Sequence, residues 1–420
     1  MWLDVRQSLQ EVHSDVSSTM MVQRATILHL SHGSIRDDAR VCKISVATAE
    51  IANEVRAIGV GARLWRGATA CHAPDLIDDI DLWSRKLGRW SPRIAAYFGL
   101  VEMTLRMAFC GLRMRPSIVH CHDYMVLPAA WLVSMASRSA VVYDAHELES
   151  ERNGMSARES QLCIKIERWC WRRVSLLVSV SPSILKWYSD NLGPKRSVLV
   201  LNSPVLPTPA PGEVARERRA FGELGYFHRR FGIPAGTPVF IYVGLMVRGR
   251  GIEPVLEVFR RPGLRSHVVF MGYGDTVGVA DHAERFSNIH LHPAVPHDQV
   301  VQFVREADCG ICLIEDVSLS DRLCLPNKLF EYAFAGVPVL ASRLPEIARV
   351  VGEYRLGICC DNDADSIEAA VRKMECNGSE PPAGDLTELS WETQAMRLQA
   401  AYRALLAERD SVVPGIEGLH

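Results

Sequence analysis

Short apolar runs of strand length alternate with segments of helical period along almost the whole chain, and the alternation breaks once. From Ala25 the runs ATILHLS, SIVHCH, AVVYDAH, SLLVSVS and SVLVLNS are separated by helix-length segments such as LPAAWLVSMAS, ESQLCIKIERWCWRRV and PSILKWYSDNL. Runs this apolar are strands buried on both faces, the state of a parallel sheet covered by helices. After the Pro-rich SPVLPTPAPG, residues 203–212, the pattern restarts with VFIYVG, HVVFMG, NIHLHPAV, CGICLI and VPVLAS. The sequence thus predicts an α/β chain of two doubly wound, Rossmann-like parallel-sheet domains with a Pro-rich hinge. The cleft between the carboxyl ends of their strands is where open α/β sheets take ligands. The boundaries are an extension over 1–23, a first domain over 24–204, a second over 205–387, an amphipathic helix over 388–407 and a tail over 408–420. Within the first domain a helix is expected over 39–58, then a strand VGARLW. Near the end, Asp365 and Glu368 have the spacing of a helix N-cap signature.

Charge and cysteines exclude several classes. A formal net charge of −2 over 420 residues leaves no concentrated basic face for nucleic acid. Twelve cysteines are scattered. The Cys309–Cys312 pair lies in a strand-like run and reads as buried thiols, which fits a reducing cytoplasm. The first residues, MWLDVRQSLQEVHSDVSS, carry acids and no apolar core, so no leader is expected. No stretch has the length and purity of a membrane span. The nearest, Arg93 to Arg115, holds Glu102 and Arg106 and reads as either an interfacial helix or a buried one.

The segment LPNKLFEYAFAGVPVLAS, Leu325 to Ser342, carries the most chemistry. Pro326 suits a first helical turn. Gly336 suits a left-handed cap, and Pro338 stops the helix. Free N–H groups near Asn327, Lys328 and Leu329 would point at a phosphate. Glu331 lies one turn further on the same face, where a carboxylate can accept two hydroxyls of a ribose. The loop GLMVRGRG, Gly244 to Gly251, offers close backbone approach and the cations Arg248 and Arg250 for a diphosphate, and Gly33 would let the first strand–helix loop approach it. His122 ends a strand and is expected to face the cleft. His120 shares its face, but a metal site needs a third ligand and none is close in sequence. His146 and Glu147 end another strand.

Four segments in order resemble the family 4 retaining glycosyltransferases, which have the GT-B fold: DDARVCKISVATAEIANEV from Asp37, PSIVHCHDYMVLPAAW from Pro116 with VVYDAHELESE from Val141, the Leu325 segment, and SWETQAMRLQAAYRALL from Ser390. The resemblance spans roughly residues 24–407. It implies transfer of a sugar from a nucleotide-sugar donor to a hydroxyl of a glycan or lipid-linked glycan, commonly in bacterial surface polysaccharide assembly. No metal cofactor is expected, because Arg250, Lys328 and helix N–H groups would meet the diphosphate charge, and the Arg93–Arg115 helix, if its apolar side is exposed, would place the chain peripherally on the inner face of an anionic membrane. The resemblance implies that His122 contacts the donor sugar, with His146, Glu147 and Asp123 toward the acceptor. His122 and Glu147 are the candidate catalytic residues, with no base role fixed for Glu147, since a donor phosphate oxygen can take the acceptor proton. It also implies that the C-terminal helix crosses back onto the first domain. Two positions depart from the family pattern. Leu245 stands where an Arg is usual, leaving Arg248 or Lys328 as the second cation. Leu323 stands where the first acid of a Glu–x7–Glu pair is usual, with Asp321 out of register. A sugar-nucleotide epimerase of the same fold, and a partner protein that binds a sugar nucleotide without turning it over, are the alternative readings. The acidic string Asp78 to Asp81 is read as part of an irregular section rather than a metal motif.

Overall fold

A computed structural model describes residues 25–61, 77–84, 92–206, 224–377 and 381–412. The extension over 1–23, most of the Pro-rich hinge and the end of the tail lie outside the described residues. The first sheet has seven parallel strands: β1 (Thr26–Ser31), β2 (Glu54–Val60), β3 (Ile77–Ile80), β4 (Ile118–His122), β5 (Ala140–Ala145), β6 (Val174–Ser179) and β7 (Ser197–Leu199), in the order β3-β2-β1-β4-β5-β6-β7. The second has six: β8 (Val239–Met246), β9 (His267–Gly274), β10 (Ile289–Pro293), β11 (Cys309–Cys312), β12 (Val339–Ser342) and β13 (Gly357–Cys360), in the order β10-β9-β8-β11-β12-β13. Both orders reverse direction once, and each reversal leaves a crevice at the carboxyl ends of the central strands.

Several local expectations are corrected. The first helix is Ala39–Ala49, not 39–58, because Asp38 caps its start through Arg40 and Val41 N–H groups and the chain at Asn53 and Glu54 already bonds Ala25 O. The strand beside β1 is EVRAIGV, a buried run; most of the expected strand VGARLW, residues 62–65, lies outside the described residues. Asp78 and Asp79 lie on edge strand β3, where they pair with Arg56 and Arg36 at 3.1 and 3.8 Å. Charged side chains are ordinary on a sheet edge. The cap of the helix Ala364–Asn377 is Asp363, which accepts from Ser366 N–H at 2.8 Å; Asp365 turns instead to Arg261.

The helix Trp391–Val412 packs on the first sheet. Trp391, Leu398, Tyr402 and Leu405 join Ile27, Ile118, Val142 and Leu176 in one core, and Gln399 donates to Ala47 O at 2.8 Å. The halves also meet across the cleft. Leu148 N–H donates to Ser320 Oγ at 3.1 Å, Ser181 Oγ donates to Leu323 O at 2.7 Å, and Ser183 N–H donates to Glu346 Oε1 at 3.1 Å. Leu323 packs against the core of the first half, so the residue at the family's acid position is an apolar plug between the halves.

Candidate functional site

The carboxyl ends of β1, β4 and β5 build a buried polar hub on Asp144. Alternation along β4 puts His120 and His122 on one face, and the β1 register sets His29 opposite His120. Arg40, on the helix Ala39–Ala49, donates Nε and Nη2 to the two Asp144 oxygens at 2.9 and 2.7 Å. His120 Nε2, His122 Nδ1 and His146 Nδ1 stand 3.6, 3.4 and 3.3 Å from Asp144 Oδ2. His122 Nε2 pairs with His29 Nδ1 at 3.1 Å, His29 Nε2 with Thr48 Oγ1 at 2.9 Å, and His120 Nδ1 with the Tyr402 hydroxyl.

Burial sets the charge states of this hub. Burial and the neighbouring His122 hold His29 well below its ordinary value, and burial takes His120 to about 4 and His122 to about 3. Burial opposes ionisation of Asp144, but Arg40 and then His146 overcome it and hold the carboxyl well below its usual range. For His146, burial is outweighed by Asp144, and its value is raised.

Two placements differ from expectation. His122 is 1% exposed and lies beneath the cleft surface, because its ring is engaged by His29 and Asp144 on the flanking strands; the partly exposed His146 is the histidine of this set that reaches the surface. Third ligands for a metal do exist in space: the ligand atoms of His29, His120 and His122, and of His122, Asp144 and His146, lie within 4.8 Å of one another. In this arrangement the His29 and His122 nitrogens bond each other, and Arg40 takes both oxygens of Asp144.

The rim of the first half is acidic with one arginine through it. Asp123 has φ 87° and ψ 155°, a region costing a non-glycine residue roughly 1–3 kcal/mol and typical of functional sites. Its carboxylate accepts Met125 N–H at 3.1 Å and lies 3.4 Å from both His32 Nδ1 and Arg152 Nη1. Arg152 also pairs with the buried Glu149 at 3.2 Å and stands 4.0 Å from the exposed Glu147. Burial, then Asp123, raise the Glu149 carboxyl well above its usual range.

The second half supplies cations. β8 continues through Met246, so Gly244 belongs to the strand, at φ 120°. A side chain on Gly244 would meet Lys328 Nζ at 3.9 Å, and that ammonium lies 3.7 Å from the Tyr242 ring centroid. Burial lowers Lys328 to about 8. Arg250 stands 3.6 Å from the buried Asp321. Arg248 is not beside it: it lines a separate outer concavity with Glu253, Glu315 and Asp316. Leu245, at the family's arginine position, is 41% exposed.

The helix Asn327–Ala335 starts one residue after Pro326, and Gly336 closes it in a left-handed conformation. Asn327 is exposed. The Leu329 N–H is not free: it donates to Pro326 O at 3.1 Å. Glu331 is buried, with His297 Nδ1 at 3.9 Å. Gly33 donates its N–H to Ser31 Oγ, and its carbonyl accepts from Val60 N–H.

A cavity of about 240 Å³ lies between the halves, lined by Glu147, Arg152 and Asn153 from the first and Arg250, Ser320, Asp321 and Cys324 from the second. Glu331 is not in its wall. Burial dominates the shift of Lys328, with Arg250 further disfavouring its charge and Glu331 favouring it. Burial, then Arg40, lower Lys43 to about 7, against Glu331, and its amine bonds Asn202 Oδ1 and Ser203 O at 2.7 and 2.6 Å beside the hinge. Reading the sequence missed Arg152, Asn153, Ser320 and the Arg40–Asp144 pair. Asp144 and Arg152 flank the His146–Glu147 pair, but no spacing rule marks an arginine at 40 as the partner of an aspartate at 144.

Comparison with known proteins agrees with this architecture. Residues 26–204 match the glycosyl transferase 4-like domain, and residues 237–377 match glycosyl transferases group 1. The chain is 26% identical over 323 residues to a D-inositol 3-phosphate glycosyltransferase of Segniliparus rotundus, covering 70% of this chain and 67% of that one. Sucrose-phosphate synthase from Thermosynechococcus elongatus superposes with a TM-score of 0.67 at 15% identity, over 92% of this chain and 100% of that one. HepE of Anabaena, in complex with UDP and glucose, gives 0.61 at 12% identity, over 93% and 100%. The two matched domains follow one another along most of the sequence and coincide with the two sheets, and the chain belongs to the group 1 glycosyltransferases, with the two-domain GT-B fold.

Proposed function

We propose that the protein is a retaining, metal-independent glycosyltransferase that moves a sugar from a nucleoside-diphosphate donor to a hydroxyl of a glycan or glycolipid. The observation that carries this is the set of groups around the cleft: one short helix holds Lys328 and Glu331, and Arg250 lines the cavity between the halves. Buried Glu331 suits a ribose, Lys328 beside Gly244 suits the diphosphate, and the polar cavity between Arg250 and Glu147 suits the transferred sugar. The cavity is smaller than the roughly 300–1,000 Å³ of a whole small-molecule site, as expected if it takes the sugar end alone.

In the reaction the bond from the anomeric carbon to the diphosphate oxygen breaks while a bond to the acceptor oxygen forms on the same face. The acceptor proton goes to the departing phosphate oxygen. Arg250 and Lys328 meet the charge that develops there, as preorganised cations do. Asp321, 3.6 Å away, positions Arg250. His146, whose protonation Asp144 favours, and Asp123, fixed by Met125 and Arg152, shape the acceptor side. Retention, a cytoplasmic setting and surface polysaccharide assembly are supported by the motif resemblance.

The test is incubation with a panel of sugar nucleotides and hydroxyl acceptors, with the anomeric configuration of donor and product read by NMR. A product with the donor's configuration is expected. An inverted product overturns retention, and conversion of donor to an isomer without acceptor favours an epimerase.

A further inference from the structure

The helix Pro92–Met114 carries an apolar stripe that faces away from the core. Phe98, Val101, Leu105, Phe109 and Leu112 recur at helical spacing and are 53%, 42%, 60%, 57% and 38% exposed. Met103, Met107 and Ala108 on the other side are at most 5% exposed and form the core with β1 and β4. Gly111 lets the helix approach closely, since a side chain there would meet Val133 Cγ2 at 2.7 Å and Leu28 Cδ2 at 3.0 Å. The helix is thus anchored by one face, and the core does not use the other.

The stripe is framed by aromatics and cations. Trp83 is 72% exposed with the Arg106 guanidinium 5.1 Å from its ring centroid, and Arg113 lies 4.2 Å from that of Phe109. Glu102, the one acid on the helix's described side chains, is neutralised by Arg106 at 2.9 Å. The helix Leu127–Ser137 packs beside it and the helix Ala157–Cys170 beside that, adding exposed Met135, Leu162 and Trp169. Exposed Lys165, Arg168, Arg172 and Arg173 continue the basic frame.

We propose that this face docks on an anionic membrane surface. Apolar side chains with aromatics at their edge and arginines around them match the headgroup boundary of an anionic bilayer, which takes the apolar stripe into its acyl margin and the cations against its phosphates. Among the described residues no helix is long and apolar enough to cross a membrane, so the contact is peripheral. Trp83 follows the carboxyl end of β3, and its N–H donates to Glu102 at 2.9 Å. The aromatic end of the stripe therefore lies at the carboxyl end of the same parallel sheet as Asp123 and Glu147, which follow the central strands β4 and β5. Docking there brings the acceptor rim to the bilayer, so the acceptor is a lipid-linked glycan. That last step rests on the transferase reading; the docking does not.

The test is flotation of the full chain with vesicles of phosphatidylglycerol and phosphatidylcholine, against phosphatidylcholine alone. Binding to the anionic vesicles at low ionic strength is expected, weakening with salt. Leu105→Glu/Phe109→Glu lowers the bound fraction about tenfold, and Arg113→Glu/Arg115→Glu weakens the preference for anionic lipid. All four side chains are exposed, so both variants melt with the parent, and the second stands if the first does not. No flotation at low salt overturns the proposal. So does flotation that neither variant changes, or a dimer that Leu105→Glu/Phe109→Glu converts to monomer with no vesicle binding. Donor turnover is read separately, so failure of docking leaves the transferase reading untouched.

Discussion

Arg40 holds Asp144 by both carboxylate oxygens, at 2.9 and 2.7 Å, and uses Nη1 on Val200 O at 3.0 Å. A single buried guanidinium thereby ties the first helix, the centre of the first sheet and the strand exit that leads to the hinge. The carboxylate it holds is the one toward which three histidines point, including His146 at the cleft surface.

Asp144→Asn leaves Arg40 buried without its counter-charge. Breaking a buried pair from one side costs about 3–5 kcal/mol, and a urea melt is expected to show a loss of that order. His146 loses the charge that raises it, so activity of the remaining folded protein also falls and its pH profile moves to lower pH. Unchanged stability would mean that the hub does not hold the first half together.

The hub makes stability fall on acidification. His29, His120 and His122 have folded values below the unfolded value near 6.5. Their contribution is fully present above that value and drains as pH falls toward about 4 for His120 and about 3 for His122. Each adds a slope of at most about 1.4 kcal/mol per pH unit. Asp144, also held low, keeps its contribution until pH falls below the ordinary carboxylate range. His146 works the other way: raised by Asp144, it favours folding below about 6.5 and loses that effect as pH rises through its folded value. Three groups against one predict a urea midpoint that drops between about pH 7 and about pH 5. A flat midpoint would contradict neutral, buried histidines.

Much of the architecture was legible because burial on both faces writes strands as apolar runs. The Leu325 segment was read well for the same reason, and Gly336 caps its helix in the left-handed form. Misreadings fell where tertiary context decided. The segment from Glu50 to Val60 has apolar residues that fit either period, and pairing with β1 makes it a strand. His122 ends its strand as expected, yet His29, from 93 residues away, turns it inward. Leu323 looks like a lost acid in sequence, and in space it is a contact between halves.

Gly249 stands at φ 88°, and a side chain there would come 2.8 Å from Asn153 Nδ2 across the cleft. Gly249→Ala should cost about 1 kcal/mol for the left-handed backbone and displace Asn153 from the cavity wall. A rise in donor or acceptor KM beyond the stability loss is expected, with part of it recovered in Gly249→Ala/Asn153→Ala. No recovery would mean that the contact does not shape the site.

Activity is expected to survive a chelator, because Arg250, Lys328 and the helix start at Asn327 supply the positive charge a diphosphate needs. Assay after EDTA treatment checks this. Complete loss restored by magnesium or manganese would point to a metal and bring the two histidine clusters and the Asp79–Asp81 pair back into consideration.

Isothermal titration with a panel of sugar nucleotides tests most directly whether the span from Glu331 to Arg250 is a donor site. Saturable binding of at least one nucleoside-diphosphate sugar is predicted. Glu331→Ala and Arg250→Ala should each weaken it by roughly 1–3 kcal/mol, the range for a lost hydrogen bond to a charged group, measured at a temperature where circular dichroism shows both variants folded. No binding across the panel by the folded protein, or equal affinity in both variants, would contradict the donor site.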